Sequence, residues 1–231
     1  MTQDRKDSCS RILIACSMIE DELLEVVDRC RIEDLEIRWM ERGHHSDPEK
    51  LHQVIQQEID RAEADGAEEV LLAYGLCGNG AVGWRTKKAV LVMPRFDDCV
   101  NMMLCTGCRD RRNYLEAGQM YLTRGWMHDE GALLGMLDDF KKRYGERKGR
   151  KAMKLMLDSY DKVTIIETGC FDPVPVRAYA DRCAEELDLT VRVVPGSNRI
   201  MEKLLTGVRD ADILVCTPGN PVREEDFDVR F

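Results

Sequence analysis

Apolar and polar positions along the chain follow two alternating rhythms. Residues 11–16, Arg-Ile-Leu-Ile-Ala-Cys, are a short apolar run with a small-residue end, the pattern of a buried strand. Over 20–31 the residues Leu23, Leu24, Val26 and Val27 recur at helical spacing, and 35–39 then alternates as a second strand. Asp47 and Pro48 supply an N-cap and a first-turn proline for a helix reaching about residue 64. Gly66 closes that helix, and 69–74 is a third strand. A β-α-β-α-β order predicts a parallel sheet with helices on its faces.

The same order returns after residue 160. Strand patterns at 162–166, 189–194 and 212–216 alternate with helical patterns at 174–187 and 197–208. Asp28-Arg-Cys30 precedes the second strand of the first set, as Asp181-Arg-Cys183 precedes that of the second. Glycine–asparagine pairs, Gly78-Asn79 and Gly219-Asn220, follow the two closing strands. These parallels predict an internal duplication: two Rossmann-like α/β halves, 11–96 and 161–231, related by a pseudo-two-fold. The first half gains a strand at 89–93, ended by Pro94. A mostly helical insert over 97–160 separates the halves, with helical patterns at 97–112, 129–144 and 146–160 and an extended piece at 119–123. No Pro/Gly/Ser linker divides the chain, so one body is expected.

Charge narrows the choice of partners. The 231 residues carry 34 basic and 43 acidic side chains, a net charge of −9, which leaves no surplus to displace the counterions of nucleic acid. Basic stretches at 141–143 and 147–151 read as a solvated helix face. The longest apolar runs, such as 70–74 and 89–93, are five residues, far short of the roughly 20 a spanning helix needs. With a polar first ten residues there is no signal-peptide pattern, and a cytoplasmic protein acting on a small-molecule ligand is expected.

Ten cysteines beside four histidines are unusual in such a chain. Their alternatives are small buried hydrophobes, redox thiols and metal ligands. His44-His45, a pair with no third partner, reads as a solvated loop, and His128, after Trp126, either joins the site or caps the following helix.

Two segments concentrate the chemistry. The first runs from Ala73 to Gly83 and contains Cys77-Gly78-Asn79-Gly80. Its Gly78, Gly80 and Gly83 spell a G-x-G-x-x-G string, but it follows a third strand and leads into a fourth. A dinucleotide loop follows the first strand and opens a helix, so that reading fails. What remains is a tight turn over a buried Cys77, or a ligand- or metal-binding loop that uses Cys77, in which Gly78, Asn79 and Gly80 bring backbone and amide groups to a cofactor. The second segment, from Pro94 to Cys108, holds Cys99, Cys105 and Cys108. On a continuous helix, at about 100° per residue, Cys105 and Cys108 are neighbours while Cys99 points elsewhere. Zinc and iron–sulfur clusters both use C-x2-C pairs. The alternative is a helix with small buried cysteines and a turn at Thr106-Gly107.

Ligands of open parallel sheets gather at the carboxyl ends of strands. Cys77, Cys99 and Cys170 each follow a strand, so parallel strands place them along one edge, with Cys108 as alternative third ligand. A thiolate trio leaves an open coordination position of the kind a catalytic metal uses. Asp98 and Arg95 flank that edge as candidate catalytic groups, and Asn220 offers an amide from the turn equivalent to Asn79.

Three ordered motifs, Tyr74-Gly-Leu-Cys-Gly-Asn-Gly80, Pro94-Arg-Phe-Asp-Asp-Cys99 and Tyr121-Leu-Thr-Arg-Gly-Trp126, resemble those of the DUF1638 family. This is a group of uncharacterised α/β proteins of anaerobic bacteria and methanogenic archaea. The resemblance covers roughly residues 12–218. In the family the second motif reads Pro-Arg-x-His-Asp-Cys; here Asp97 replaces the histidine, and the Cys105/Cys108 pair is an addition. The resemblance implies that Cys77, Asp98 and Cys99 are the main site residues. It also suggests corrinoid-linked methyl transfer in one-carbon metabolism as context. The expected activity is then a zinc or iron–sulfur protein of that chemistry. Its alternative is a non-catalytic accessory protein holding a corrinoid or small molecule, with a corrinoid protein or methyltransferase as partner.

Overall fold

In a computed structural model, which describes residues 10–42, 47–107, 113–127 and 132–228, the apolar run at 11–16 is β1 (Arg11–Cys16). Both faces of β1 are buried, as an interior parallel strand requires. A single 3-10 turn leads into α1 (Glu20–Cys30), which ends on Arg31 in the left-handed conformation, its N–H bonded to Asp28 O and Val27 O. After β2 (Glu36–Met40) comes α2 (Pro48–Ala64). The Asp47 carboxylate caps α2 by accepting from Lys50 N–H at 3.0 Å, and Leu51, Ile55, Ile59 and Ala62 form its buried stripe. Next are β3 (Glu69–Ala73), β4 (Val90–Pro94) and α3 (Cys99–Leu104). The Glu63 carboxylate accepts from the backbone N–H groups of Lys87, Lys88 and Ala89, anchoring the entry to β4 on the end of α2.

The chain then builds a separate unit, Tyr114–Ser197. It contains β5 (Gln119–Leu122), α4 (Leu133–Tyr144), α5 (Glu146–Met156), β6 (Lys162–Glu167), α6 (Pro173–Leu187) and β7 (Thr190–Pro195). Its sheet is parallel throughout, in the order β5-β6-β7. Val176, Ala180, Cys183 and Leu187 of α6 join Leu137, Met153, Val163 and Ile165 in one core. Helix α5 crosses α4 at backbone contact: a Cβ on Gly149 would sit 2.6 Å from Lys141 Cα.

The first unit, Met1–Asn113 with Asn198–Phe231, is completed by α7 (Arg199–Thr206) and β8 (Ile213–Cys216). Its sheet has the order β2-β1-β3-β4-β8, with β1 to β4 parallel and β8 antiparallel to β4. No described helix is long and apolar enough to cross a membrane.

The α/β class with parallel sheets is therefore as expected, and the strand positions match closely. Two expectations differ. Of the helix expected over 97–112, the described residues form α3 alone, because Cys105 (φ −78°, ψ 82°) leaves helical geometry; residues 108–112 lie outside the described residues. The expected equivalence of the third strands does not hold: β3 lies parallel beside β1, whereas β8 pairs with β4 and not with β6 or β7. In the three-stranded sheet the place beside β6 belongs to β5, which precedes it in the chain. Each sheet contains a parallel strand-helix-strand unit, β1-α1-β2 in one and β6-α6-β7 in the other, and local pattern cannot fix where a following strand pairs.

Candidate functional site

From β1 the chain turns to β2 on one side and then crosses to β3 on the other. A sheet that reverses its order this way opens a crevice at the carboxyl ends of the two diverging strands. Cys16 ends β1, and Tyr74 to Gly80 follow β3 immediately. The predicted loop therefore lies at the switch point of the five-stranded sheet.

Backbone bonds fix that loop beside the next one. Leu76 N–H donates to Phe96 O and Cys77 N–H to Asp97 O, both at 2.8 Å, extending the β3–β4 pairing beyond the strands. The approach requires glycine at position 75, where a Cβ would stand 2.6 Å from Phe96 O and 2.7 Å from Asp98 N. Cys77, Gly78 and Asn79 then take φ of 49°, 64° and 70° in succession. Two of these are not glycine, a strained arrangement of the kind that concentrates at functional sites. Trp84, fully buried, seats the loop on α2: its Nε1–H donates to His52 O at 3.1 Å and its ring stacks on His52. Tyr74 meets the edge of Trp84, ring centroids 5.8 Å apart.

Asp98 and Cys99 open α3. The Asp98 carboxylate is the N-cap, accepting from Asn101 N–H at 2.7 Å and from Asn101 Nδ2 at 3.1 Å. Cys99, at the first helical position, is buried, as is Cys16; Cys77 keeps part of its surface open. The Tyr74 hydroxyl donates to Cys16, and burial together with the nearby thiols holds its proton far more firmly than in free tyrosine.

Burial pushes the Cys77 thiol up to about 12, with Asp98 and Cys16 adding to the effect. Cys99 is driven well above the usual thiol range by burial first, then by Asp98, Cys77 and Cys16. Asp98 itself is raised, chiefly by burial and further by Asp97, against the bonds from Asn101. A nucleophilic cysteine needs a cation or comparable partner to hold it as thiolate. Here the leading neighbours are acidic, and the metal-free thiols are protonated at neutral pH.

Cys77, Cys99 and Asp98 are thus brought together as anticipated. Cys16 joins them, although its sequence context, the end of an ordinary apolar strand, carried no motif. Its one signal was position: it ends the strand from which the sheet reverses. Arg95 follows β4; its backbone N–H donates to Asp212 O at 2.8 Å, and its buried Nε has no hydrogen-bond partner among the described residues. Gly78 and Asn79 are exposed on the loop, while Gly80 is buried with its carbonyl 3.1 Å from His52 Nδ1.

Other predicted residues lie elsewhere. Cys170 belongs to the other unit, at the carboxyl end of β6, with its thiol 3.5 Å from Thr168 O. Because β8 is antiparallel, Cys216 pairs with Leu91 at the beginning of β4 and delivers Asn220 to the amino-terminal edge, where its side chain bonds Thr217 Oγ1 at 2.6 Å. Cys105 is buried and receives Arg199 Nη1 at 3.2 Å. Cys108, His44, His45 and His128 lie outside the described residues. Among the described residues no three His, Cys, Asp or Glu side chains form a ready metal-ligand set.

Compared with known families, the chain matches one, described as a protein of unknown function (DUF1638), over residues 39–205. No curated protein and no solved structure matches it.

Proposed function

The chain belongs to the DUF1638 family, whose function is unknown and lends it no reaction, and we propose that its five-stranded unit binds a thiophilic metal. The ligands would be Cys16, Cys77 and Cys99, and the metal zinc or iron in an iron–sulfur cluster. The observation that carries this reading is the convergence of three thiols and the Asp98 carboxylate on the ends of β1, β3 and β4 at the switch point. Thiolate sulfur selects zinc and iron–sulfur clusters over hard cations. The electrostatics favour a cation too, since burial and acidic neighbours oppose thiolates that nothing positive compensates.

Metal uptake would expel the thiol protons and turn the cysteine side chains toward a common centre, since they do not form a ligand set beforehand. When bound, such a metal supplies Lewis acidity to a thiol or water in its fourth position. Asp98, its proton-binding strengthened by burial, would take or give a proton beside that position. The Arg95 guanidinium, whose Nε has no partner among the described residues, would orient an anionic ligand group.

Anaerobic purification followed by a visible spectrum and zinc, iron and cobalt analysis tests the proposal. Stoichiometric zinc or iron, lost in folded Cys16→Ser, Cys77→Ser and Cys99→Ser variants, is expected. A metal-free, colourless protein overturns it. Cobalt with a corrinoid spectrum replaces it by the accessory reading.

A further inference from the structure

Positive charge is concentrated in one place. Between Lys141 and Lys154 there are eight Lys and Arg side chains and one acidic residue, Glu146, in a chain whose net charge is −9. The segment covers the end of α4 and most of α5. Four of the eight are neutralised. Lys141 and Arg150 share Glu146 and Glu186, Lys142 pairs with Asp139, and Lys154 pairs with Asp188. Arg143, Arg147, Lys148 and Lys151 are exposed and have no carboxylate partner among the described residues.

Helical geometry sorts these residues on α5. At about 100° per residue, Gly149 and Met153 point one way, toward the core of their unit. Arg147, Lys151 and Leu155 run up the opposite side in steps of four residues, flanked by Lys148. Leu155 is 75% exposed and Met156 46%. The outward stripe is therefore cationic along its length and apolar at its C-terminal end.

We propose that this face of α5 docks an acidic protein segment whose carboxylates meet Arg147, Lys148 and Lys151 and whose apolar side chain covers Leu155. The charge pattern chooses this occupant over two others. A bilayer takes up the apolar face of an amphipathic helix, and the apolar face of α5 is already spent on its own core. A nucleic-acid backbone is a long row of phosphates, and here it would run onto Glu146 and Asp158 within a turn or two of the cations, in a chain that is acidic overall. A protein segment of one helix width, acidic and then apolar, matches the stripe in both charge and order.

Fluorescence anisotropy of a labelled, short helical peptide of glutamate and leucine reads the docking directly. Phosphatidylserine vesicles and a short DNA duplex form the other arms. Saturable peptide binding of roughly micromolar affinity is expected, weakening as salt rises. Arg147→Glu with Lys151→Glu should weaken it at least about tenfold, a change of about 1.4 kcal/mol. Leu155→Ser should weaken it several-fold with no change in salt dependence. Far-UV circular dichroism confirms that the variants are folded, as these exposed positions permit. No peptide binding, equal binding by the charge-reversed protein, or tighter binding of vesicles or duplex would overturn the proposal.

Discussion

The Tyr74 hydroxyl donates to the Cys16 thiol, joining the residue after β3 to the last residue of β1 across the switch point. Tyr74 is almost fully buried, and its ring rests edge-on against Trp84. Replacing it by phenylalanine keeps that ring contact and removes only the donor. Tyr74→Phe should therefore fold and lose about 1 kcal/mol in urea unfolding. Unchanged stability would mean that this bond does not help hold the two strand ends together.

Alkaline pH should destabilise the metal-free protein in a defined window. The Cys77 thiol is pushed up to about 12 by burial, above the roughly 8.5 of an unfolded cysteine. Between those values the unfolded chain has released the proton and the folded chain retains it, so the unfolded state binds fewer protons. Stability is then whole below the unfolded value and falls as pH rises toward 12. Cys99, raised in the same direction, steepens the fall. Urea midpoints across this range, after chelator treatment, should drop further for the wild type than for Cys77→Ala. Equal slopes would contradict the enclosed, protonated thiol.

Asp98 has two separable roles, one structural and one electrostatic. As N-cap it accepts from Asn101 N–H, so Asp98→Ala should cost about 1 kcal/mol, whereas Asp98→Asn retains an acceptor oxygen and should cost little. As a charge it raises Cys77 and Cys99. Asp98→Asn should therefore lower the Cys77 thiol value and speed its alkylation by iodoacetamide at mildly alkaline pH in chelated protein. Peptide mapping by mass spectrometry resolves Cys77 from the other cysteines. Slower alkylation in the Asn variant would contradict this electrostatic role.

Local signals account for most of what the sequence foretold. Asp47-Pro48 marks a helix start wherever the helix packs, because a cap and a first-turn proline act within one turn. The apolar run before Cys16 likewise becomes an interior strand. The partner of β8 was not legible, since Ile213 to Cys216 reads the same beside β4 as beside β6. That one pairing undid the expected equivalence of Asn79 and Asn220. Cys77 and Cys99 were legible through their motifs, but Cys16 enters the site through sheet order alone. The halt of α3 at Leu104, which separates Cys105 from the helix, also carried no cap signal beyond Gly107.

Gly75 offers the sharpest mechanical test of the site. Its missing side chain lets the loop after β3 lie against Phe96 and Asp98, and the obstructing atoms are backbone, which cannot swing aside. Gly75→Ala must push the two loops apart, straining the Leu76–Phe96 and Cys77–Asp97 bonds. A loss of about 1–3 kcal/mol is expected, as for other overpacked positions. Because Cys77 and Cys99 are carried by these two loops, the variant should also lose the metal proposed above while its circular dichroism remains that of an α/β protein. Gly83→Ala serves as a control in the same loop: its φ is 96°, but the neighbour a Cβ would meet at 3.2 Å is the side chain of His52. It should be destabilised by backbone strain while keeping the two motif loops zipped. If Gly75→Ala keeps full metal content and Gly83→Ala loses it, the site is not held by the contact between the Cys77 and Cys99 loops.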